Sequence, residues 1–217
     1  MRGKRGGFLI TAGMLLIFAA VVLSGYNIWE ERQAEKSAAQ AMAHLEKTVV
    51  PMEPELEFHD WVSDGAVLTV ESEVEIPDYI LNPEMDMPEE TIDGWDYIGI
   101  LEIPALDLEL PIISRWSYPA LKIAPARYEG SAYQDNLVIA AHNYASHFGG
   151  IHELSLGDQV IFTDIDGNVF AYEVVVLETL KPTAIEQMCS GEWDLTLFTC
   201  TVDSRSRVTL RCERVTE

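Results

Sequence analysis

From residue 97 onward, apolar side chains recur mainly at every second position. Tyr97–Ile103 and Leu108–Ile113 alternate on either side of a Pro104–Asp107 turn, which predicts two strands. Leu137-Val-Ile-Ala-Ala141 is a short continuous apolar run, the pattern of a core strand, and it ends directly on His142-Asn143. Asp158 to Leu177 predicts a hairpin turning at Asp166-Gly167. In Asp194-Leu-Thr-Leu-Phe-Thr-Cys200, one face carries Leu195, Leu197 and Thr199, and the other carries Thr196, Phe198 and Cys200. After a polar turn over Asp203–Ser206, Arg207-Val-Thr-Leu-Arg-Cys212 reads as the returning strand, which is expected to bring Arg211 back beside Cys200. Many strands at short spacing, with Pro182–Met188 as a brief helical turn, point to a mainly β chain closed as a small barrel or sandwich.

The amino-terminal part follows other rules. Phe8–Ile28 is an uncharged apolar run, about 30 Å long as a helix and long enough to cross a bilayer. Tyr26 and Trp29 sit at its outer end, and Arg2, Lys4 and Arg5 precede it. The positive-inside rule therefore predicts residues 1–7 in the cytoplasm, an uncleaved anchor over 8–28 and the remainder outside. Glu30–Lys47 is rich in helix formers and reads as a polar helical stalk with a solvated His44. Val49–Asp93 holds five prolines and many carboxylates, which is linker composition, with Val67–Val70 as a possible short strand. His59 and Trp61 in this stretch are given no role. The stalk and linker are thus expected over 29–93 and the folded domain over 94–217.

Charge narrows the partners. The net charge is −22, and no lysine or arginine occurs between Thr48 and Ser114. Nucleic acid is excluded as a partner, because phosphates would be repelled over most of the surface. There are three cysteines, Cys189, Cys200 and Cys212, and outside the cytoplasm an odd count leaves at least one free thiol. A thiol becomes a nucleophile beside a positive charge or a base. Arg211 is the expected charge and His142, where an apolar strand meets a loop, is the expected base; His147 and His152 read as loop and surface residues. Asp158, Asp164, Asp166 and Asp203 are the carboxylates a calcium site would draw on. The turn already explains Asp166, so neither metal nor cofactor is expected.

Thr196-Leu-Phe-Thr-Cys200 resembles the Thr-Leu-x-Thr-Cys signature of sortases, the membrane-anchored cysteine transpeptidases of Gram-positive bacteria. Ile98-Gly-Ile-Leu-Glu-Ile-Pro104 with Leu110-Pro111 resembles the family's opening strands. Val138-Ile-Ala-Ala-His142 resembles the strand bearing its histidine, and Arg207–Arg211 the strand bearing its arginine. The resemblance implies an eight-stranded barrel. It implies Cys200 as nucleophile on a Leu-Pro-x-Thr-Gly-like sorting signal, forming a thioacyl enzyme, and His142 as the acid and base. Arg211 would then hold the developing oxyanion, with Thr199 and Asn143 shaping the substrate site. The implied partners are proteins carrying such a signal and an amine acceptor from a peptidoglycan precursor or a pilin. No second apolar segment follows Arg211, so the pilus-building type that has one is not expected. A thiol peptidase that only hydrolyses the signal, and a non-catalytic sorting scaffold, are the competing expectations.

Overall fold

The structure, a computed structural model, describes residues 3–51 and 76–215, with side chains from residue 12 onward. A long helix, α1 (Gly3–Thr48), leads into a short helix α2 (Asp78–Leu81) and nine strands: β1 (Glu90–Ile92), β2 (Trp95–Ile103), β3 (Leu108–Ile113), β4 (Ala126–Glu129), β5 (Leu137–Ala141), β6 (Gln159–Asp164), β7 (Val169–Leu180), β8 (Leu195–Cys200) and β9 (Arg207–Arg214). Two further short helices, α3 (Tyr118–Leu121) and α4 (Ile185–Met188), sit in the β3–β4 and β7–β8 connections. The sheet runs β2-β3-β4-β5-β8-β9-β7-β6, and β6 pairs back onto β2, so eight strands close a barrel while β1 adds to the start of β2. Closure has a specific requirement. Gly99, at φ +150°, faces Asp164 across the β2–β6 seam, and a Cβ there would lie 2.1 Å from the Thr163 carbonyl oxygen. Only glycine lets the two backbones meet that closely.

The period-two pattern sorts the side chains. Leu195, Leu197, Leu210, Cys212, Ile139 and Phe162 fill the barrel interior with Leu101, Ile112 and Phe170. A second apolar cluster lies on the outer wall, where Ile100, Ile113, Ala126 and Ala140 meet Ala41, Met42, Leu45 and Val49 of the α1 region. The expected free stalk over residues 30–47 is therefore corrected: this segment packs against the folded domain along its length, from the contacts of Glu30 and Glu31 to the buried Leu45. Ala34, Ala38, Ala41, Met42 and Leu45 are buried and recur at helical spacing, forming a stripe of mostly small side chains that lets the helix approach closely. His44 lies off this stripe, half exposed and 3.5 Å from Glu90.

The expected boundary at Gly94 also moves toward the amino terminus. Tyr79 of α2 stacks on Tyr133 at 4.7 Å between ring centres, Met87 is buried in the interior core, and β1 precedes Gly94. The expected strand over Val67–Val70, with His59 and Trp61, lies outside the described residues. Met14 to Trp29 present large apolar side chains to the surroundings, most more than half exposed. The stretch is long and apolar enough to cross a membrane.

Candidate active site

The site is assembled by strand pairing at one rim of the barrel. β5 and β8 run parallel with Ala141 opposite Thr199, so both strands end together and His142 emerges beside Cys200. β8 and β9 run antiparallel with Cys200 opposite Arg207. Side chains alternate across a strand. Ala140, Phe198 and Cys200 accordingly point away from the barrel core, and with His142 and Arg207 they line one groove.

The arginine expected beside Cys200 is not the one the structure brings there. Arg211 lies opposite Thr196. That is four residues back along β8, about 13 Å away at strand rise. The connection between β8 and β9 holds only Thr201–Ser206, so the register sets Cys200 against Arg207. Arg211 is 2% exposed and each of its three guanidinium nitrogens is engaged. Nε donates to Glu178 Oε1 at 2.9 Å, Nη1 to Thr196 Oγ1 and the Met188 carbonyl at 3.0 Å each, and Nη2 to the Gln187 carbonyl at 2.8 Å. It thereby fastens α4 to the outer wall. Arg207 is half-buried and lines the groove, with Nη1 donating to the Ser206 carbonyl at 3.0 Å and, among the described residues, no further partner for its other donors.

Thr199, expected to shape the substrate site, lines the groove and the smaller recess beside Cys200, but its hydroxyl is spent within the fold. Oγ1 donates to the Ala141 carbonyl at 2.9 Å and ties the ends of β5 and β8 together. Asn143 is half-buried and lines a smaller recess on the opposite side of Cys200, with His152, Thr201 and Val208. His142 and Cys200 are both half-buried at the rim.

Burial lowers the basicity of His142, partly offset by the Glu30 carboxylate and reinforced by Lys122. Its Nε2 has no hydrogen-bond partner among the described residues. His147, five residues on, is fully buried, and neither ring nitrogen has a partner among the described residues. Burial, then the neighbouring His142, pushes its pKa down to about 4. It lies in a loop as expected, but buried there as a neutral packing element rather than at the surface. The other two thiols are not poised for attack. Burial pushes Cys212 up to about 12, and burial with a hydrogen bond to Glu129 does the same for Cys189. All three cysteines are free.

The groove beside Cys200 encloses about 400 Å³. Its walls include Trp116, Tyr118, Tyr128, Ile185, Met188 and Phe198. Aromatic contacts brace it: Trp116 stacks on Tyr128 at 5.1 Å, and Tyr128 meets the edge of Phe198 at 5.3 Å. These groove residues were not singled out in the sequence, since they come from two connections and two separate strands that only the fold gathers. No cluster of His, Cys, Asp or Glu suited to a metal occurs among the described residues. Asp164, one of the candidate calcium carboxylates, is buried and accepts from Tyr133 Oη, Asn168 N and Asn168 Nδ2.

Residues 101–215, more than half of the chain, match the family model of the sortase domain. Sortase A of Bacillus anthracis is 25% identical over 193 residues, covering 86% of this chain and 84% of that protein. Clostridium perfringens sortase C, solved with the C-terminal cell wall sorting motif, superposes with a TM-score of 0.51 at 26% identity, over 61% of this chain and 75% of that one. The C. perfringens sortase D5 transpeptidase shares the fold, with a TM-score of 0.51 at 21% identity over 58% of this chain and 83% of its own. With a closed eight-stranded barrel, an apolar amino-terminal helix and a cysteine, a histidine and an arginine meeting at one rim, the chain belongs to the sortase family of cysteine transpeptidases.

Proposed function

We infer that this sortase cleaves a Leu-Pro-x-Thr-Gly-like sorting signal through a thioacyl intermediate on Cys200 and transfers the acyl group to an amine. The observation that carries this reading is the double register at the β8 terminus, with His142 on one flank of Cys200 and Arg207 on the other. The Cys200 sulfur attacks the carbonyl carbon after the threonine, forming a C–S bond. The C–N bond to the following residue breaks, and His142 supplies the proton that the leaving amine needs. The incoming amine then gives a proton to His142 as it attacks the thioester, releasing the Cys200 sulfur. Arg207 donates to the oxygen that becomes negative in each tetrahedral intermediate, the task expected of Arg211 from sequence. The apolar groove takes the leucine and proline of the signal against Trp116, Tyr128 and Phe198. The C. perfringens sortase C solved with its sorting motif supports this choice of substrate class.

The apolar stretch of α1 serves as a single membrane span with the amino terminus in the cytoplasm and the barrel outside. Large apolar side chains exposed on it support this assignment. The donor partners are proteins ending in a sorting signal, and the acceptor is an amine of a peptidoglycan precursor or a pilin.

The test uses the full chain in detergent micelles, because α1 contributes to the packed body. Peptides varying around Leu-Pro-x-Thr-Gly are incubated with and without an amine acceptor and followed by mass spectrometry. The expected result is an acyl adduct on Cys200 that passes to the amine and is absent in His142→Ala. Release of free acid that added amine does not divert would establish hydrolysis instead. No adduct with any peptide, from folded protein whose Cys200 also resists alkylation, would leave only a sorting scaffold.

A further inference from the structure

The helix that carries the apolar span also touches the loop that carries the histidine. Glu31 Oε1 accepts from the Ala145 backbone N–H at 2.8 Å, three residues beyond His142. Glu30 pairs with Lys122, at the end of α3 next to the groove, and its carboxylate acts on both His142 and Tyr144. Both glutamates are half-buried and follow directly on Trp29, at the end of the apolar run. Glu31 also stands at the head of the buried stripe Ala34, Ala38, Ala41 and Leu45, so its position is fixed by packing one turn below. A carboxylate bond to a backbone N–H is charge-assisted and short, a strong way to hold a loop.

We propose that Glu31 is a positioning residue: through Ala145 it clasps the His142 loop to the anchor helix, so that the histidine keeps its place beside Cys200. The loop's backbone ties are internal: Phe148 N–H donates to the His142 carbonyl at 3.2 Å, and His147 and Gly149 N–H donate to the Tyr144 carbonyl at 3.0 and 2.9 Å, so Glu31 adds the tie to a separate element. Among the described residues His142 Nε2 has no protein partner, and the next ring along, Tyr144, lies 4.9 Å away as a tilted neighbour. The clasp is a contact within the chain and stands without the substrate assignment. Its effect on turnover rests on the reading of His142 given above.

The test compares the full chain with Glu31→Ala and Glu31→Gln in detergent micelles. The first readout is hydrogen exchange at the Ala145 amide. Glu31→Ala raises its rate about tenfold or more, while Glu31→Gln, which keeps an acceptor oxygen, restores much of the protection. The second readout is cleavage of the Leu-Pro-x-Thr-Gly variant that the wild type cleaves fastest. In Glu31→Ala, kcat falls by about tenfold with KM and melting temperature unchanged, since misplacing a reacting group costs rate rather than binding. A third arm uses Glu30→Gln. The groups facing His142 are Glu30 from α1, Lys122 after α3, Tyr144 and His147 from its own loop, and Cys200 and Arg207 across the groove. Removing the Glu30 charge shifts the histidine limb of the pH–rate profile to lower pH, which a merely structural contact would not do.

Unchanged exchange at Ala145 in Glu31→Ala overturns the clasp. So does a loss of kcat that follows a lowered melting temperature and is not rescued by glutamine. A wild type that cleaves no peptide at all would count against the substrate reading instead, and the exchange comparison would still decide the clasp.

Discussion

The β8–β9 hairpin carries two arginines on the same outward face, and its two ends treat them in opposite ways. At the rim, Arg207 stands opposite Cys200, half-buried in an open groove with donors to spare. Four residues further along β9, Arg211 stands opposite Thr196, buried and bonded to a carboxylate, a hydroxyl and two carbonyls. One guanidinium is free to meet a substrate; the other is consumed by the fold. An arginine's chemistry is set less by its face than by how many acceptors its surroundings already provide.

The largest expected difference between the ends is in turnover. Arg207→Ala lowers kcat/KM for the best peptide by about 10²–10³-fold, the usual cost of one oxyanion donor, while leaving the melting temperature nearly unchanged. Arg207→Lys recovers only part of the rate, because an ammonium cannot reproduce the planar fork. Equal kinetics in Arg207→Ala and wild type would break the comparison at its active end.

The second difference is in stability. Arg211→Ala strands Glu178 and two carbonyls, at a cost of about 3 kcal/mol, the low end for a broken buried pair because Glu178 is a third exposed. Chemical denaturation checks this, and KM rises as α4 loosens along the groove wall. A wild-type denaturation midpoint in this variant would show that the buried network is dispensable.

The rim also carries a pH dependence. The folded His147 has its pKa depressed from 6.5 to about 4, so below pH 6.5 the unfolded chain binds more protons than the folded one. Its contribution is complete above pH 6.5 and is lost as pH falls toward 4. His147→Phe should flatten the stability-versus-pH curve of the wild type over that window, with little change above it. Parallel curves would mean that the ring is already protonated in the fold.

The smallest effect falls on the tie between the strands that deliver His142 and Cys200. Thr199→Val keeps the shape and removes the bond to Ala141, costing about 1 kcal/mol. The expected loss of turnover is a few-fold, by misalignment of the two strand ends. A loss as large as that of Arg207→Ala would show that the Thr199 hydroxyl itself serves the substrate.

Much of this molecule was legible in the order of its residues. Period-two alternation placed β2, β3 and β6–β9, a continuous apolar run placed β5, the Asp166-Gly167 turn marked a hairpin, and the unbroken run from Phe8 to Ile28 marked the apolar helix, while the short strands β1 and β4 carry no such pattern and were missed. These are local consequences of side-chain pattern, which any stretch carries with it. The placing of Cys200 and His142 at strand ends was also legible, since each closes an apolar run at a loop, and the β5–β8 pairing sets those ends side by side. The arginine was not, because Arg207, Thr209 and Arg211 share one face and alternation cannot rank them. Only the pairing register does so. The short Thr201–Ser206 connection carried that signal, since bringing Arg211 opposite Cys200 would take four more residues in the turn.

The stalk was misread for a related reason. Ala34, Ala38 and Ala41 are too small to announce a buried stripe, and their burial comes from the fold, Ala41 joining Met42 and Leu45 in the cluster on the outer wall. The sequence alone determined which segments extend, which turn and which thiol stands at a strand end. The groove, the choice between two arginines and the hold of α1 on the histidine loop were decided by tertiary structure, because each depends on contacts between residues far apart in the chain.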